Sequence, residues 1–198
     1  MLNDRSTKPD TRERILEAAF SVLSRQGYEN TSIKDIAEEA GVAQGLIHYH
    51  FKSKEQLVLS VLAEVCRAME YAPAKGLEGA EAAYGKFRAM LKEAKATHAL
   101  YIQLIAVGLH DKEVGDGVFK FVSEDRAHIA EIARQVLAER GQDDRPARAI
   151  AAVIEAAVLG IMIQNLIDPA FDSDGAVDAL TAMSLSAVYP DAQARSEA

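Results

Sequence analysis

Between Ser32 and Leu57 the chain reads SIKDIAEEAGVAQGLIHYHFKSKEQL, and these residue types suit a polyanion better than a reacting substrate. Lys52 and Lys54 bring charge, and Ser32, His48, Tyr49 and His50 bring hydrogen-bonding groups. Such groups bond phosphate oxygens without reading sequence. Gln44 and Leu46 are more selective, because a glutamine amide pairs bidentately with an adenine edge and an apolar side chain meets a thymine methyl. Gly45, between them, costs a helix about 1 kcal/mol relative to alanine. Close backbone approach to a partner accounts for such a glycine. Ser53 and Gln56 form an S-x-x-Q capping box. A helix therefore opens there, and its free N–H groups and Lys54 place positive charge together.

Two short helices must position these groups. Ile33, Ile36, Ala37 and Ala40 recur at i, i+3, i+4 and i+7, with Ser32 as cap and Asp35 three residues on. Gly41 ends this helix because it can take the left-handed conformation, and Val42 plugs the corner. The next helix runs from about Gln44 to His50, which is helix-turn-helix geometry with the second helix entering a major groove by its N-terminal residues. Phe51 follows it and faces inward as a core anchor. A helix carrying Ile15, Ala19, Val22 and Leu23 precedes the pair and stops at Gly27; another follows from Ser53 to about Tyr71. His48 and His50 make no metal site, since residues two apart on a helix point roughly 200° away from each other.

Beyond the motif the pattern stays helical. Helices are expected near 78–95, 98–110, 116–140, 146–167 and 174–188, parted by Asp111, Gly115, Gly141, Pro146 and Asp168-Pro169, with Gly115-Asp116-Gly117 as a loop. The fold class is all-α: an N-terminal three-helix DNA-binding domain over residues 1–55, a linking helix at about 54–71, and a larger C-terminal helical domain over 72–198. The boundary falls near Pro73 and Gly76.

Composition sets outer limits. The 198 residues are 49% hydrophobic and 26% charged, which is globular rather than disordered. The net charge of −8 lies wholly beyond residue 54, because residues 1–54 hold eight Lys/Arg and eight Asp/Glu. A neutral front can sit on phosphate while an acidic rear discourages indiscriminate binding. The N-terminus has no apolar export segment. The apolar tract Ala149 to Ile163, interrupted by Glu155, falls short of the roughly 18 residues of a membrane span, so no membrane partner is expected. Cys66 alone forms neither disulfide nor zinc site and reads as a small core residue in a reducing cytoplasm. No H-E-x-x-H, G-x-S-x-G, P-loop or strand-bound G-x-G-x-x-G occurs, so no catalytic residue, metal or cofactor is expected. A helical interaction module that leaves DNA alone is the competing reading.

Ile36, Ala37, Ala40, Gly41, Val42, Gly45, Phe51, Lys54 and Leu57 stand at the spacing of T-x-x-x-I-A-x-x-A-G-V-S-x-G-x-x-Y-x-H/Y-F-x-x-K-x-x-L. Over residues 11 to 60 the chain thus resembles the TetR family of transcriptional regulators. Ser32 replaces the usual threonine cap, Ala43 the serine that caps the recognition helix, and His48 a common tyrosine; losing the Ala43 cap costs about 1 kcal/mol. The resemblance implies a ligand-responsive repressor that binds operator DNA as a homodimer through Ser32, Ala43, Gln44, Gly45, Leu46, His48, Tyr49, His50 and Lys54. It also implies a C-terminal domain that dimerises and encloses an effector pocket.

For the dimer, Ala149, Ala152, Ala156 and Gly160 form a small-residue stripe that lets another helix approach, joined by a stripe through Val177, Leu180, Met183, Ser184 and Ala187. For the pocket, His98, Tyr101, Gln103, His110, Phe119, His128, Met162, Gln164 and Asn165 are polar or adaptable side chains set among apolar helical runs, with His98 and Tyr101 sharing a face.

Overall fold

Asp10 opens the first helix, α1 (Thr11–Gln26), with the Glu13 carboxylate accepting from its backbone N–H at 3.2 Å, and Gly27 closes it at φ 76°. This computed structural model describes residues 10–69 and 75–188, and those residues are all-helical. α2 (Ile33–Ala40) starts at Ser32, whose hydroxyl accepts from Asp35 N–H while Asp35 accepts from Ser32 N–H at 2.8 Å. The Ser32 hydroxyl, which also donates to that carboxylate at 2.6 Å, and then the Ser32 N–H hold the Asp35 carboxyl below its ordinary pKa. Gly41 ends α2 in the left-handed region at φ 62° and ψ 42°, as the turn requires. Then come α3 (Gln44–Phe51), α4 (Lys54–Met69), α5 (Gly76–Glu93), α6 (Lys95–Gly108), α7 (Lys112–Glu139), α8 (Ala147–Ile167) and α9 (Ser173–Val188). The expected end of α4 at Tyr71, the break at Pro73 and the side chains of Cys66 and Ala187 lie outside the described residues.

The chain divides into two compact units. One comprises Met1–Ala68 with Ala99–Phe119, the other Met69–His98 with Lys120–Ala198. The first thus gathers later sequence around α1 to α4. Its core joins Ile15, Val22 and Leu23 of α1 to Ile36, Ile47, Leu57 and Leu62, and adds Leu100, Leu104 and Val114. Outside that core, Arg14 donates to the Ala40 carbonyl at 2.7 Å, satisfying an orphan carbonyl at the end of α2. Arg25 grips Glu39 with two hydrogen bonds.

One expectation is corrected here. Gly115, Asp116 and Gly117 belong to α7, which begins at Lys112 because Asp111 accepts from the Val114 N–H at 3.0 Å. The glycines serve packing. A Cβ on Gly115 would lie 2.4 Å from the Gly108 carbonyl oxygen, and one on Gly117 would lie 2.1 Å from Leu59. Their absence lets the α7 backbone press against α6 and α4, at a cost of about 1 kcal/mol of helix propensity each.

In the second unit α5 packs on α9 and α9 on α8. Gln135 and Glu139 of α7 cap the start of α5, accepting from Gly76 and Leu77 N–H. Arg88 pairs with Asp178 and Lys92 with Asp174, tying α5 to α9. Asn165 donates to the Leu91 carbonyl at 2.9 Å from a buried position.

α8 spans 21 residues and is by length and composition apolar enough to cross a membrane, with a mean hydropathy of 2.0 over an 18-residue window. Glu155 does not break it, because that carboxylate is buried and paired with Arg126. Much of its apolar surface stays uncovered by its own chain: Val153 and Ile167 are 69% and 73% exposed.

Candidate nucleic-acid interface and effector cavity

α3 is held from one side only. Ile47 and Phe51, one turn apart, are 1% and 4% exposed, and Arg12 lies 5.4 Å from the Phe51 ring centre. Gln44, Gly45, Leu46, His48 and Tyr49 are all exposed, with Tyr49 at 80%. Six positions expected from the sequence thus share one presented surface, since Ala43 caps α3 from an exposed position without a side-chain bond. A methyl group built on Gly45 meets nothing within 4 Å, so the fold itself gives no reason for that glycine. His50 is half-buried and stacks edge-on against Tyr49 at 5.2 Å. Ser32 lies apart from this face as the α2 cap.

α3 ends in strain. Lys52 takes φ 60° and ψ −46°, and Ser53 N–H donates to the Phe51 carbonyl at 2.6 Å across it. That is a γ-turn in its less stable sense, costing roughly 1–3 kcal/mol for a residue with a side chain. The turn puts α4 directly after α3, with Ser53 accepting from Gln56 N–H. The Gln56 side chain, free of the second half of the capping box, donates to Glu113.

Lys54 has a partner that sequence did not suggest. Its ammonium donates to the Tyr28 carbonyl at 2.6 Å and lies 4.0 Å from that ring's centre. Tyr28 in turn sets its hydroxyl between Glu55 and Asp111. Burial, with these two carboxylates, raises the phenol pKa well above its ordinary value. The lysine therefore clasps the α1–α2 corner to the start of α4 and keeps its charge there.

The second unit holds a cavity of about 60 Å³, lined almost wholly by apolar atoms. Tyr84 and Phe87 of α5, His128 and Ile132 of α7, Ile154 of α8 and Ser184 of α9 contribute to its wall. Of the expected pocket residues only His128 lines it. His98 is fully buried with neither ring nitrogen hydrogen-bonded, and burial lowers its pKa. Tyr101, Gln103, His110 and Phe119 belong to the first unit. Met162 is core, Gln164 is exposed, and Asn165 is spent on Leu91. Tyr84 was not anticipated, its signal being Ala80 and Ala83 beside it, small residues that leave space against large ones; Ser184, expected on the dimer stripe, is buried in its own chain and lines the cavity.

Along α8, Ala149, Ala152 and Ala156 are exposed, and a methyl on Gly160 would meet nothing within 4 Å. Met183 is 70% exposed, whereas Leu180 turns into the core of its own chain.

A short capped helix, a left-handed glycine corner and a second helix with one buried and one presented face define a helix-turn-helix domain. Residues 15–61 match the family model described as bacterial regulatory proteins, tetR family. The match lies on the helix-turn-helix segment and shows a tetR-type DNA-binding domain there. The chain is 27% identical to the HTH-type transcriptional regulator UidR of Escherichia coli K12 over 117 residues, 58% of this chain and 60% of that one. It is 38% identical to the HTH-type transcriptional repressor KstR2 of Mycolicibacterium smegmatis over 63 residues, 31% of each. The chain thus matches 60% or less of the length of these two curated relatives. Among solved structures, Salmonella enterica GusR superposes with TM-score 0.77 at 21% identity, covering 95% of this chain and 100% of the other. A transcriptional regulator from Rhodococcus sp. Rha1 does so at 0.73 and 19%, covering 89% and 96%. Likeness at that identity shows the fold.

Proposed function

We propose that this chain is a cytoplasmic, ligand-responsive repressor that binds a palindromic operator as a homodimer and has no enzymatic activity. The carrying observation is the presented face of α3, where Gln44, Gly45, Leu46, His48 and Tyr49 stand exposed on a helix anchored by Ile47 and Phe51. Gln44 and Leu46 read base edges, Gly45 lets the backbone approach, and His48, Tyr49 and His50 hold phosphate. Ser32, Ala43 and Lys54 act at the helix starts, Lys54 as a charge fixed by Tyr28.

The second copy docks on α8 and α9 through Ala149, Ala152, Ala156, Gly160 and Met183, whose uncovered apolar surface favours a self-complementary contact about a two-fold axis. An effector enters the cavity of the second unit. It releases DNA by favouring a dimer in which the recognition helices are wrongly spaced, so DNA must weaken effector binding by the same factor. A coupling of about 1–3 kcal/mol suffices. α6 and α7, which each contribute residues to both units, are the transmitting elements.

Selection of bound fragments from random duplex DNA by the purified protein tests the reading. An inverted repeat with half-sites about one helical turn apart, or somewhat more, is expected. Absence of any enriched sequence would overturn it.

A further inference from the structure

The cavity's hydrogen-bond chain has a direction. Ser184 bonds the Thr181 carbonyl at 3.0 Å, and a carbonyl only accepts, so the serine hydrogen is spent there. The Tyr84 hydroxyl, 2.7 Å from Ser184 Oγ, must then be the donor of that bond. Neither hydroxyl has a hydrogen left for a guest, while the Tyr84 oxygen keeps a lone pair. Burial raises the Tyr84 pKa, so the hydroxyl stays protonated.

The rest of the wall narrows the choice. It contains no lysine, arginine, aspartate or glutamate. A charged guest would lose its hydration without a counter-charge, at several kcal/mol. His128 also lines the cavity, and an imidazole ring has two nitrogens that can serve as donor or acceptor, so it does not select one polarity. The size is small: at about 30 Å³ per water, 60 Å³ holds roughly two waters, which limits the enclosed part of a guest to a few heavy atoms.

We propose that the guest of this cavity is a small uncharged alcohol or phenol whose hydroxyl donates to the Tyr84 oxygen. This rests on reading the cavity as the effector site.

Calorimetric or NMR titration of the full chain with five matched probes tests it: para-cresol, its methyl ether para-methylanisole, toluene, para-toluate and para-methylbenzylammonium. Para-cresol is expected to bind about tenfold tighter than the ether and toluene, the worth of one buried hydrogen bond, and the two ions not measurably. Tyr84→Phe should close the gap by weakening cresol alone. Ser184→Ala should close it from the other side: it frees the tyrosine hydrogen, so the ether gains affinity, an effect that a purely structural serine would not produce. Ala133→Phe, which fills the cavity, should remove all binding. Equal binding of cresol and ether to the wild-type chain, preference for either ion, or no binding by any probe would overturn the proposal. Operator release is measured separately. Cresol that binds with the expected discrimination but leaves operator affinity unchanged leaves the guest class standing and refutes the effector reading.

Discussion

α3 and α8 both present faces that their own chain leaves uncovered, and the two faces differ in chemistry. On α3 the presented side chains are an amide, imidazoles and a phenol; on α8 they are alanines, Val153 and Ile167. Each face carries a glycine with open space around it, Gly45 and Gly160, in contrast to Gly115 and Gly117, whose missing Cβ atoms are required by neighbours in the same unit. The difference is instructive. A helical glycine that the fold fills explains itself, whereas one facing open space costs stability that only a partner returns. A polar face suits a polyanion; an apolar face suits another apolar helix.

The largest effect should come from spoiling the apolar face. Ala156→Arg would bury a charge at a close helix crossing, so the dimer should fall apart into folded monomers with loss of tight operator binding. Sedimentation of the variant as a tight dimer, with unchanged circular dichroism, would move the interface off α8.

Next is Gly45→Ala, where two readouts should move in opposite senses. With open space around the new methyl, urea denaturation should show stabilisation by about 0.5–1 kcal/mol. Operator affinity should fall at least tenfold because the methyl displaces backbone from the groove. If affinity holds or improves, Gly45 has no partner, and the contrast with Gly115 collapses.

Lys54→Ala sharpens the polar side. Loss of a charged donor to the Tyr28 carbonyl should cost about 1–3 kcal/mol of stability. It should also weaken binding to all DNA sequences alike and reduce the salt dependence of affinity by about one ion. Destabilisation with an unchanged salt slope would make the lysine purely structural.

The α2–α3 motif was legible because its determinants are local. Ser32 with Asp35, Gly41, and the spacing of Ile36, Ala37 and Ala40 lie within ten residues, and each acts on its own neighbours. The cavity was not, because Tyr84 and Ser184 meet across 100 positions and nothing in either helix announces the other. Gly115 to Gly117 misled for the related reason that a glycine pair signals a turn locally, while here tertiary contact with Gly108 and Leu59 decides. Lys54 was visible as a charge beside a helix start, but its Tyr28 partner, 26 residues back, was not.

The smallest expected effect concerns a group left unsatisfied inward rather than outward. His98 is fully buried, and neither of its ring nitrogens is hydrogen-bonded, so burial disfavours its protonated form. Its folded pKa is below the ordinary 6.5. Above that ordinary value the ring is neutral in both folded and unfolded chains, and the group makes no pH-dependent difference. As pH falls below it, the unfolded chain takes a proton that the folded chain refuses, and stability drops by at most about 1.4 kcal/mol per pH unit until the folded pKa is reached. His98→Leu removes the titration and the two unpaired nitrogens while keeping an apolar side chain in the core. Urea midpoints measured from pH 8 to pH 5 should therefore decline less steeply in the variant, with the difference opening only below about pH 6.5. Because His98 belongs to neither presented face, operator affinity and dimerisation at neutral pH should be unchanged. Parallel pH profiles would mean that the buried imidazole finds a partner for its charged form, and that the interior is less strictly apolar at this point than the geometry requires.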